Sequence, residues 1–168
     1  SLGRDLEGIA KDICFQPRDT TSVWPRLCHL RGRMEQERSR ETKETLDLKL
    51  GPGGLADMEF LVQGVQLTLG RSRRDLQAAC IRDLVTPAGR ELGLAPDKVE
   101  TVLGWYQALR ALEHRLHLFT NQATAAIKPE DFQGLQRAGL WPVRPGQVKI
   151  ETWNDIHVSR REIRRMWS

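Results

Sequence analysis

The strongest constraint on the fold is an apolar stripe within residues 96–120. Six large apolar side chains recur there at intervals of three or four residues: Val102, Trp105, Leu109, Leu112, Leu116 and Phe119. This spacing places them on one face of an α-helix, and a face of that kind has to be buried against other elements. Nowhere in the chain do β-branched residues alternate with polar ones over the length of a strand. The sequence therefore predicts an all-α bundle of about five or six helices with little or no sheet.

The other helices are predicted from the same periodicity and from the residues that interrupt it. We expect helices over residues 2–13, 23–43, 55–69, 75–85 and 129–138, with Pro87 in the connection that follows the fourth. Gly139 should end its helix in a left-handed conformation. Thr152 should begin the last helix, because Thr152 and Asp155 have the spacing of a capping box. The charged second half of the 23–43 helix is expected to project into solvent or toward another domain, and residues 140–151 should form a loop.

Length and composition indicate a soluble chain that can form one domain with its own core. It has 168 residues, and its 26 basic and 22 acidic residues give a net charge of +4, which permits an anionic partner without requiring one. Cys14, Cys28 and Cys80 lie far apart without a metal-binding spacing, which favours buried or unreactive thiols in a reducing cytoplasmic setting. Every apolar stretch is shorter than the ~20 residues of a membrane span, so we expect no membrane contact.

A glycine turn lies directly before a mostly apolar helix in the stretch Asp47–Gly70. The turn contains Lys49, Gly51, Gly53 and Gly54. Two interpretations stay open. If Gly54 is the N-cap, Asp57 is the third helical residue, and its carboxylate can satisfy the N–H groups of the helix start. Alternatively, the amides of the turn and Lys49 face an anionic ligand.

Polar residues on that apolar helix form the next candidate group. Asp57 and Glu59 are two residues apart and so point to opposite sides of the helix, which excludes binding one metal ion together. Glu59, Gln63 and Gln66 are four and three residues apart and line one face. On a largely buried helix, they either form a hydrogen-bonded network with arginines of the 96–120 helix or line a cleft at a domain junction.

Two further groups of polar residues lie nearer the C-terminus. Arg110, Glu113, His114 and Arg115 follow each other on the long helix, and Arg110 and Glu113 have the spacing of an ion pair. His114 lies three residues from His117, but without a third ligand in the sequence we predict no metal site. The last residues are basic, with Arg160, Arg161, Arg164 and Arg165. This pattern is typical of a solvated helix face and alternatively of a nucleic-acid surface.

Two segments resemble one enzyme family, the glutamine synthetase adenylyltransferases. Residues 46–67 resemble its Lys-x-Gly-x-Gly-Gly-Ile-x-Asp-Ile-Glu-Phe-x-Val-Gln motif, and residues 106–124 resemble its Leu-Arg-x-x-Glu-His-Arg-Leu-Gln segment. The matching residues are Lys49, Gly51, Gly53, Gly54, Asp57, Glu59, Phe60 and Gln63 in the first motif, and Arg110, Glu113, His114, Arg115 and Leu116 in the second. After the second motif the family has Asp-x-Gln-Thr-His, whereas this chain has Asn121, Gln122 and Ala123.

The resemblance implies that residues 1–168 are a single helical domain, which follows a nucleotidyltransferase domain in a larger enzyme with two related halves. Such an enzyme uses ATP and Mg²⁺ to attach AMP to a tyrosine of glutamine synthetase, or removes it by phosphorolysis. Its expected partners are glutamine synthetase, the PII regulatory protein and the upstream domain. The resemblance places the catalytic carboxylates in that upstream domain, so we expect no catalytic residue, no bound cofactor and no activity in this chain alone.

We also predict that the glycine turn lies on the nucleotide or acceptor side of the junction between the two domains, because Lys49 and the glycines of residues 51–54 stand at a helix start. We expect Lys49→Ala combined with Gly53→Val to lower AMP transfer and to leave the fold intact. Two alternatives stay open. The chain could be a stand-alone helical module that uses the motif to dock a partner. It could also be a basic helical domain that binds nucleic acid, which would show steeply salt-dependent binding.

Overall fold

A computed structural model describes residues 2–141 and 148–167, which form seven α-helices and one two-stranded ladder. The helices are α1 (Leu2–Cys14), α2 (Thr20–Arg38), α3 (Leu55–Leu69), α4 (Ile81–Glu91), α5 (Pro96–Thr120), α6 (Pro129–Arg137) and α7 (Trp153–Arg164). Strands β1 (Leu46–Asp47) and β2 (Ala126–Ile127) pair antiparallel, with Leu46 opposite Ile127. Short 3₁₀ turns cover Arg74–Leu76 and Arg165–Trp167. The predicted all-α class is confirmed.

Helix α5 lies at the centre of the bundle, where it contacts α3, α4, α6 and α7. Most of its predicted stripe is buried, since Val102, Leu109, Leu112 and Leu116 have no exposed surface. The stripe prediction is wrong at its end, because Phe119 is 41% exposed at the edge of the bundle beside α6. Trp105 is only half-buried as well.

Several predicted boundaries match the structure because a local signal sets each of them. Helices α3 and α5 begin and end at the predicted residues. Gly139 follows α6 with φ +68°, the left-handed stop expected there. The capping box of α7 is present: the Thr152 N–H donates to Asp155 Oδ2 at 2.7 Å, and the Asp155 N–H donates to Thr152 Oγ1 at 3.3 Å.

Two helix predictions are wrong. Helix α2 ends at Arg38 instead of residue 43, because the backbone becomes extended at Ser39, and the Arg40 N–H then donates to Asp47 Oδ2 at 2.9 Å. Helix α4 begins at Ile81 instead of residue 75, after the 3₁₀ turn at Arg74–Leu76. Helix α4 also includes Pro87, which was predicted to lie in a connection. The helix continues through the proline because the burial of this part of α4 outweighs the one backbone hydrogen bond that a proline removes.

Two other expectations concern the exposure of the cysteines and the loop predicted over residues 140–151. Cys14, Cys28 and Cys80 are free, but all three are exposed rather than buried. Of the predicted loop, residues 142–147 lie outside the described part of the chain. Within the described ranges, no helix has the length and apolarity that crossing a membrane requires.

Candidate functional site

The glycine turn between β1 and α3 is held by its own backbone. Four N–H groups donate to carbonyl oxygens of residues 47–51 at 2.9–3.1 Å: those of Gly51, Gly54, Leu55 and Ala56. The Gly53 N–H donates to Asp57 Oδ2 at 2.7 Å. These amides are therefore occupied within the chain, which favours the interpretation of the turn as a helix start that Asp57 caps.

At two positions of the turn only glycine fits, because atoms of other residues lie where a Cβ would be. Gly53 has φ +71°, and a Cβ there would lie 1.9 Å from the backbone oxygen of Arg160 in α7. A Cβ on Gly51 would lie 2.3 Å from Glu41 Oε2 and 2.5 Å from Arg160 Nη2. The expectation that Gly53→Val leaves the fold intact is therefore wrong, because the turn packs directly on the backbone of α7.

Asp57 is the centre of a buried ionic cluster, which we call the Asp57 cluster and define as Arg31, Glu35, Asp57 and Arg164. Its carboxylate is fully buried. Arg31 Nε lies 2.5 Å from Asp57 Oδ1, and Arg164 Nη1 lies 3.1 Å from Asp57 Oδ2. Glu35 Oε2 forms an ion pair with Arg31 Nη1 at 3.3 Å and accepts a hydrogen bond from Arg164 Nη1 at 3.1 Å. Two positive and two negative charges thus balance in the space between α2, α3 and α7.

Arg31 is the buried cation that joins this cluster to the glycine turn. Only 2% of its surface is exposed, and its Nη2 donates to the backbone oxygens of Leu50 at 3.1 Å and Gly51 at 3.0 Å. Its Nε and Nη1 have no well-aligned hydrogen bond, so their contacts with Asp57 and Glu35 are ionic in character. One face of the second half of α2 is therefore packed against the turn, whereas Arg33, Glu37 and Arg38 of the same half are exposed, as expected of a segment that projects into solvent.

A second buried arginine holds the turn from the side of α7. Arg160 is 5% exposed and donates from Nε to the Pro52 oxygen at 3.0 Å. Its other two nitrogens bind the Glu41 carboxylate at 3.0 and 2.9 Å. Glu41 also accepts the Asp47 N–H at 2.7 Å. The prediction of a solvated basic face is thus wrong for Arg160. Arg164 is also paired with carboxylates, so fewer cations of this helix are available to bind a nucleic acid.

Lys49 is an exposed cation on a backbone that is held on both sides. Its N–H donates to Asp47 Oδ1 at 3.0 Å, and its carbonyl oxygen accepts the Ala56 N–H at 3.0 Å. The side chain thus projects into solvent from a fixed point.

The two motifs meet where α3 crosses α5. Arg110 Nη2 lies 2.8 Å from Glu59 Oε1, and Arg110 Nη1 lies 2.9 Å from Glu113 Oε2. The Tyr106 hydroxyl donates to Glu59 Oε1 at 3.3 Å. Burial and the charge of Glu59 raise the pKa of Tyr106. Burial would lower the pKa of Arg110, but the hydrogen bond to Glu113 and the neighbouring negative charges outweigh it and raise that pKa.

The Glu59–Gln63–Gln66 stripe is only partly satisfied within the chain. Glu59 pairs with an arginine of the 96–120 helix, as one interpretation predicted, and Gln66 Nε2 donates to the Ala78 oxygen at 3.0 Å. Gln63 is exposed. In the second motif, His114 is exposed beside a cleft of about 470 Å³ that Tyr106 and Arg110 also line.

The remaining carboxylates and Arg115 have structural partners. Arg115 donates to the Leu140 oxygen. Among the described residues, no three His, Cys, Asp or Glu side chains lie close enough to hold one metal ion. Asp57 and Glu59 point to different partners, as their spacing required. Because Asp57, Glu59, Glu113 and Glu41 are each paired with an arginine, their donor set does not fit Mg²⁺, whose ligands are carboxylate and water oxygens without competing cations.

Several residues that build this site were not predicted from the sequence. They are Arg31, Glu35, Glu41, Asp47, Tyr106 and Trp167. Trp167 contributes through its Nε1, which donates to the backbone oxygen of Asp57 at 3.1 Å. Arg31 and Glu35 carried a local signal, because they are one helical turn apart, and Asp47 and Tyr106 lie within the two segments that resemble the family. The contact between Arg164 and Asp57 joins residues 107 positions apart, for which single-sequence periodicity contains no information.

Comparison with known proteins gives one family and a set of relatives. Residues 29–163 match the family model described as GlnD PII-uridylyltransferase. The chain is 30% identical over 165 residues to a bifunctional glutamine synthetase adenylyltransferase/adenylyl-removing enzyme of Nocardia farcinica, a match that covers 98% of this chain and 16% of the relative.

Enzymes of the same name from two other organisms are also similar. The one from Caulobacter vibrioides is 33% identical over 102 residues, which cover 61% of this chain and 10% of the relative. The one from Streptomyces avermitilis is 42% identical over 95 residues, which cover 55% of this chain and 9% of the relative. The chain thus spans about a sixth or less of the length of these relatives.

Gly53→Ala should lower the free energy of unfolding more than the same substitution at another glycine with a left-handed backbone. Gly93 has φ +72° and open space around its Cα, so Gly93→Ala costs only the backbone strain of ~1–2 kcal/mol. Gly53→Ala adds a clash with the Arg160 backbone, so we expect a loss above ~3 kcal/mol in the free energy of unfolding. Urea denaturation of both variants measures the difference. Equal losses would show that the turn is not packed on α7.

Asp57→Asn should destabilise the chain by ~3–5 kcal/mol, because it leaves the buried Arg31 without its closest counter-charge. The matched control is Asp83→Asn, whose exposed carboxylate lies 3.4 Å from the exposed Arg82. We expect the control to unfold at the wild-type urea concentration. A similar midpoint for both variants would contradict a central role for the Asp57 cluster.

A double-mutant cycle on Glu59→Gln and Arg110→Gln should give a coupling energy of ~0.5–1.5 kcal/mol, because both side chains are partly buried. The same cycle on Arg33 and Glu37, an exposed pair on α2, should give a smaller coupling. Thermal or urea unfolding of the four proteins of each cycle supplies the energies. Additive effects at Glu59 and Arg110 would show that the two motifs are not coupled.

Proposed function

We propose a function for this chain on the premise that it belongs to the GlnD PII-uridylyltransferase family, whose model matches most of its length. The relatives reported above are glutamine synthetase adenylyltransferases, in agreement with the resemblance of the two motifs. In this proposal the chain is the helical domain of such an enzyme. It supports the transfer of AMP from ATP to a tyrosine of glutamine synthetase, or the phosphorolytic removal of that AMP.

The observation that carries this proposal is the fixed position of Lys49. The turn that bears it is held from α2 by Arg31 and from α7 by Arg160, and its own amides are occupied. A lysine whose backbone is held in this way can contact a phosphate or carboxylate without a further loss of backbone entropy. We propose that Lys49 faces the nucleotide or the acceptor protein across the junction with the upstream nucleotidyltransferase domain.

The chemistry of the transfer is assigned to residues outside this chain. The carboxylates of the site are neutralised by arginines, so none of them is available as a general base or metal ligand. Catalysis and Mg²⁺ binding therefore belong, in this proposal, to the upstream domain. The chain alone should not turn over ATP, and glutamine synthetase and the PII protein are partners of the whole enzyme.

The test is Lys49→Ala in the full-length enzyme. Because a charge-assisted hydrogen bond is worth ~1.5–3 kcal/mol, we expect AMP transfer to glutamine synthetase, or AMP removal, to slow by about ten- to a hundredfold. Lys43→Ala is the matched control, since Lys43 is also an exposed lysine, in the segment between α2 and β1. Both reactions should be measured, with circular dichroism and thermal unfolding as checks of the fold. Wild-type rates in a folded Lys49→Ala enzyme would refute the proposed role.

A further inference from the structure

The carboxylate of Asp47 differs from the other buried carboxylates of the site in the groups that compensate its charge. Asp57 and Glu113 pair with arginines, whereas the described contacts of the Asp47 side chain are all with backbone N–H groups. Only 4% of the surface of Asp47 is exposed. A carboxylate buried to this extent needs compensation, and the hydrogen bonds that supply it are charge-assisted and strong. The amides bound to Asp47 are therefore held firmly in place.

Two of these amides belong to the glycine turn, and the third lies in the segment after α2. Asp47 Oδ1 accepts the Lys49 N–H at 3.0 Å and the Leu50 N–H at 2.9 Å, a side-chain-to-backbone pattern that aspartate favours in turns. Asp47 Oδ2 accepts the Arg40 N–H at 2.9 Å. Both oxygens are thus occupied within the chain. Asp47 holds the backbone of Lys49 and presents no oxygen to a substrate.

Asp47 is itself fixed by contacts of its backbone. It lies in β1 opposite Ala126 of β2, and its carbonyl oxygen accepts the Gly51 N–H at 3.1 Å. Its N–H donates to Glu41 Oε2 at 2.7 Å, and the same carboxylate of Glu41 binds Arg160 of α7. A side chain can position another group only if its own neighbours hold it, and Asp47 meets this requirement.

We propose that Asp47 is a positioning residue in the proposed AMP transfer, because it fixes the backbone from which Lys49 reaches the nucleotide or the acceptor protein. It acts through Lys49 and contacts no substrate. This role rests on the proposed function and extends it to a residue that is buried below the surface. A displacement of ~1 Å in a group that binds a substrate can slow a reaction about a hundredfold, so the carboxylate that sets the Lys49 backbone controls the rate.

The experiment is Asp47→Asn in the full-length enzyme, alone and combined with Lys49→Ala. Asparagine keeps the volume of the side chain but replaces one oxygen with an NH₂ group, so a donor then faces either the Arg40 N–H or the N–H groups of Lys49 and Leu50. We expect AMP transfer or AMP removal to slow about tenfold when Lys49 is present. In the Lys49→Ala background we expect a further change below about twofold, because Asp47 acts only through Lys49.

Two further measurements separate positioning from a general loss of stability. Asp155→Asn is the matched control, because Asp155 Oδ2 also accepts two backbone N–H groups, at 2.9 and 2.7 Å, but does so at the start of α7. We expect wild-type rates in this control. Amide hydrogen exchange at Lys49 and Leu50 in the same full-length proteins should be about tenfold faster in Asp47→Asn and unchanged in Asp155→Asn.

A second variant covers the case in which Asp47→Asn does not fold. Asp47→Ser takes its place in every measurement, because a serine hydroxyl accepts a backbone N–H in the same kind of turn and places no amide group opposite the Arg40 N–H. The expected direction of each change is the same.

Comparison of the two backgrounds distinguishes the positioning role from the proposed function. Slowing only when Lys49 is present, together with faster exchange of the Lys49 amide, supports the role of Asp47. Equal slowing with and without Lys49 would overturn it, since Asp47 would then stabilise the fold without acting through Lys49. Wild-type rates in Asp47→Asn beside a slow Lys49→Ala enzyme would overturn the positioning role alone. Wild-type rates in Lys49→Ala would refute the proposed function, and the role of Asp47 with it.

Discussion

The fold around the glycine turn depends on one buried charge, the carboxylate of Asp57. It accepts the Gly53 N–H and contacts Arg31 and Arg164, and so it joins the turn, α2 and α7 to the first turn of α3. A buried ion pair gains little net stability over apolar residues of similar volume, because both charges lose their hydration. Its effect here is geometric. Few arrangements of these helices would satisfy a fully buried carboxylate and a buried arginine together, so the cluster selects one packing of the turn.

Helix α3 carries two ionic networks on different sides. Asp57 faces α2 and α7, whereas Glu59 faces Arg110 of α5. Their separation follows from helix geometry, since residues two apart point in opposite directions. The two networks hold α3 from both sides near its start, and the buried apolar residues of its next turns complete the packing. The acidic pair of the first motif therefore has a structural role in this chain, and the arginines that it binds account for its unsuitability for a metal.

What is left for a partner is a small set of groups at fixed points. Lys49 projects from a turn whose backbone is occupied, Gln63 is the exposed member of its stripe, and His114 lies beside a cleft. Helix α1 is of another kind, because every residue from Gly3 to Cys14 is exposed.

The sequence by itself determined the elements whose signals are local. The 3.6-residue period and the adjacent glycines and prolines were enough to predict α3 and α5 with their observed bounds. The capping residues were enough to predict the start of α7. Only the tertiary structure decided which charges are buried. Arg160 and Arg164 were predicted to lie on a solvated basic face. Instead, Arg160 binds Glu41 and Arg164 binds Asp57, and each carboxylate lies more than a hundred positions earlier in the chain. The physical reason is that helix periodicity follows from neighbouring residues. The partner of a charge follows from how distant helices pack, and the low dielectric of that packed space decides which pairs must form.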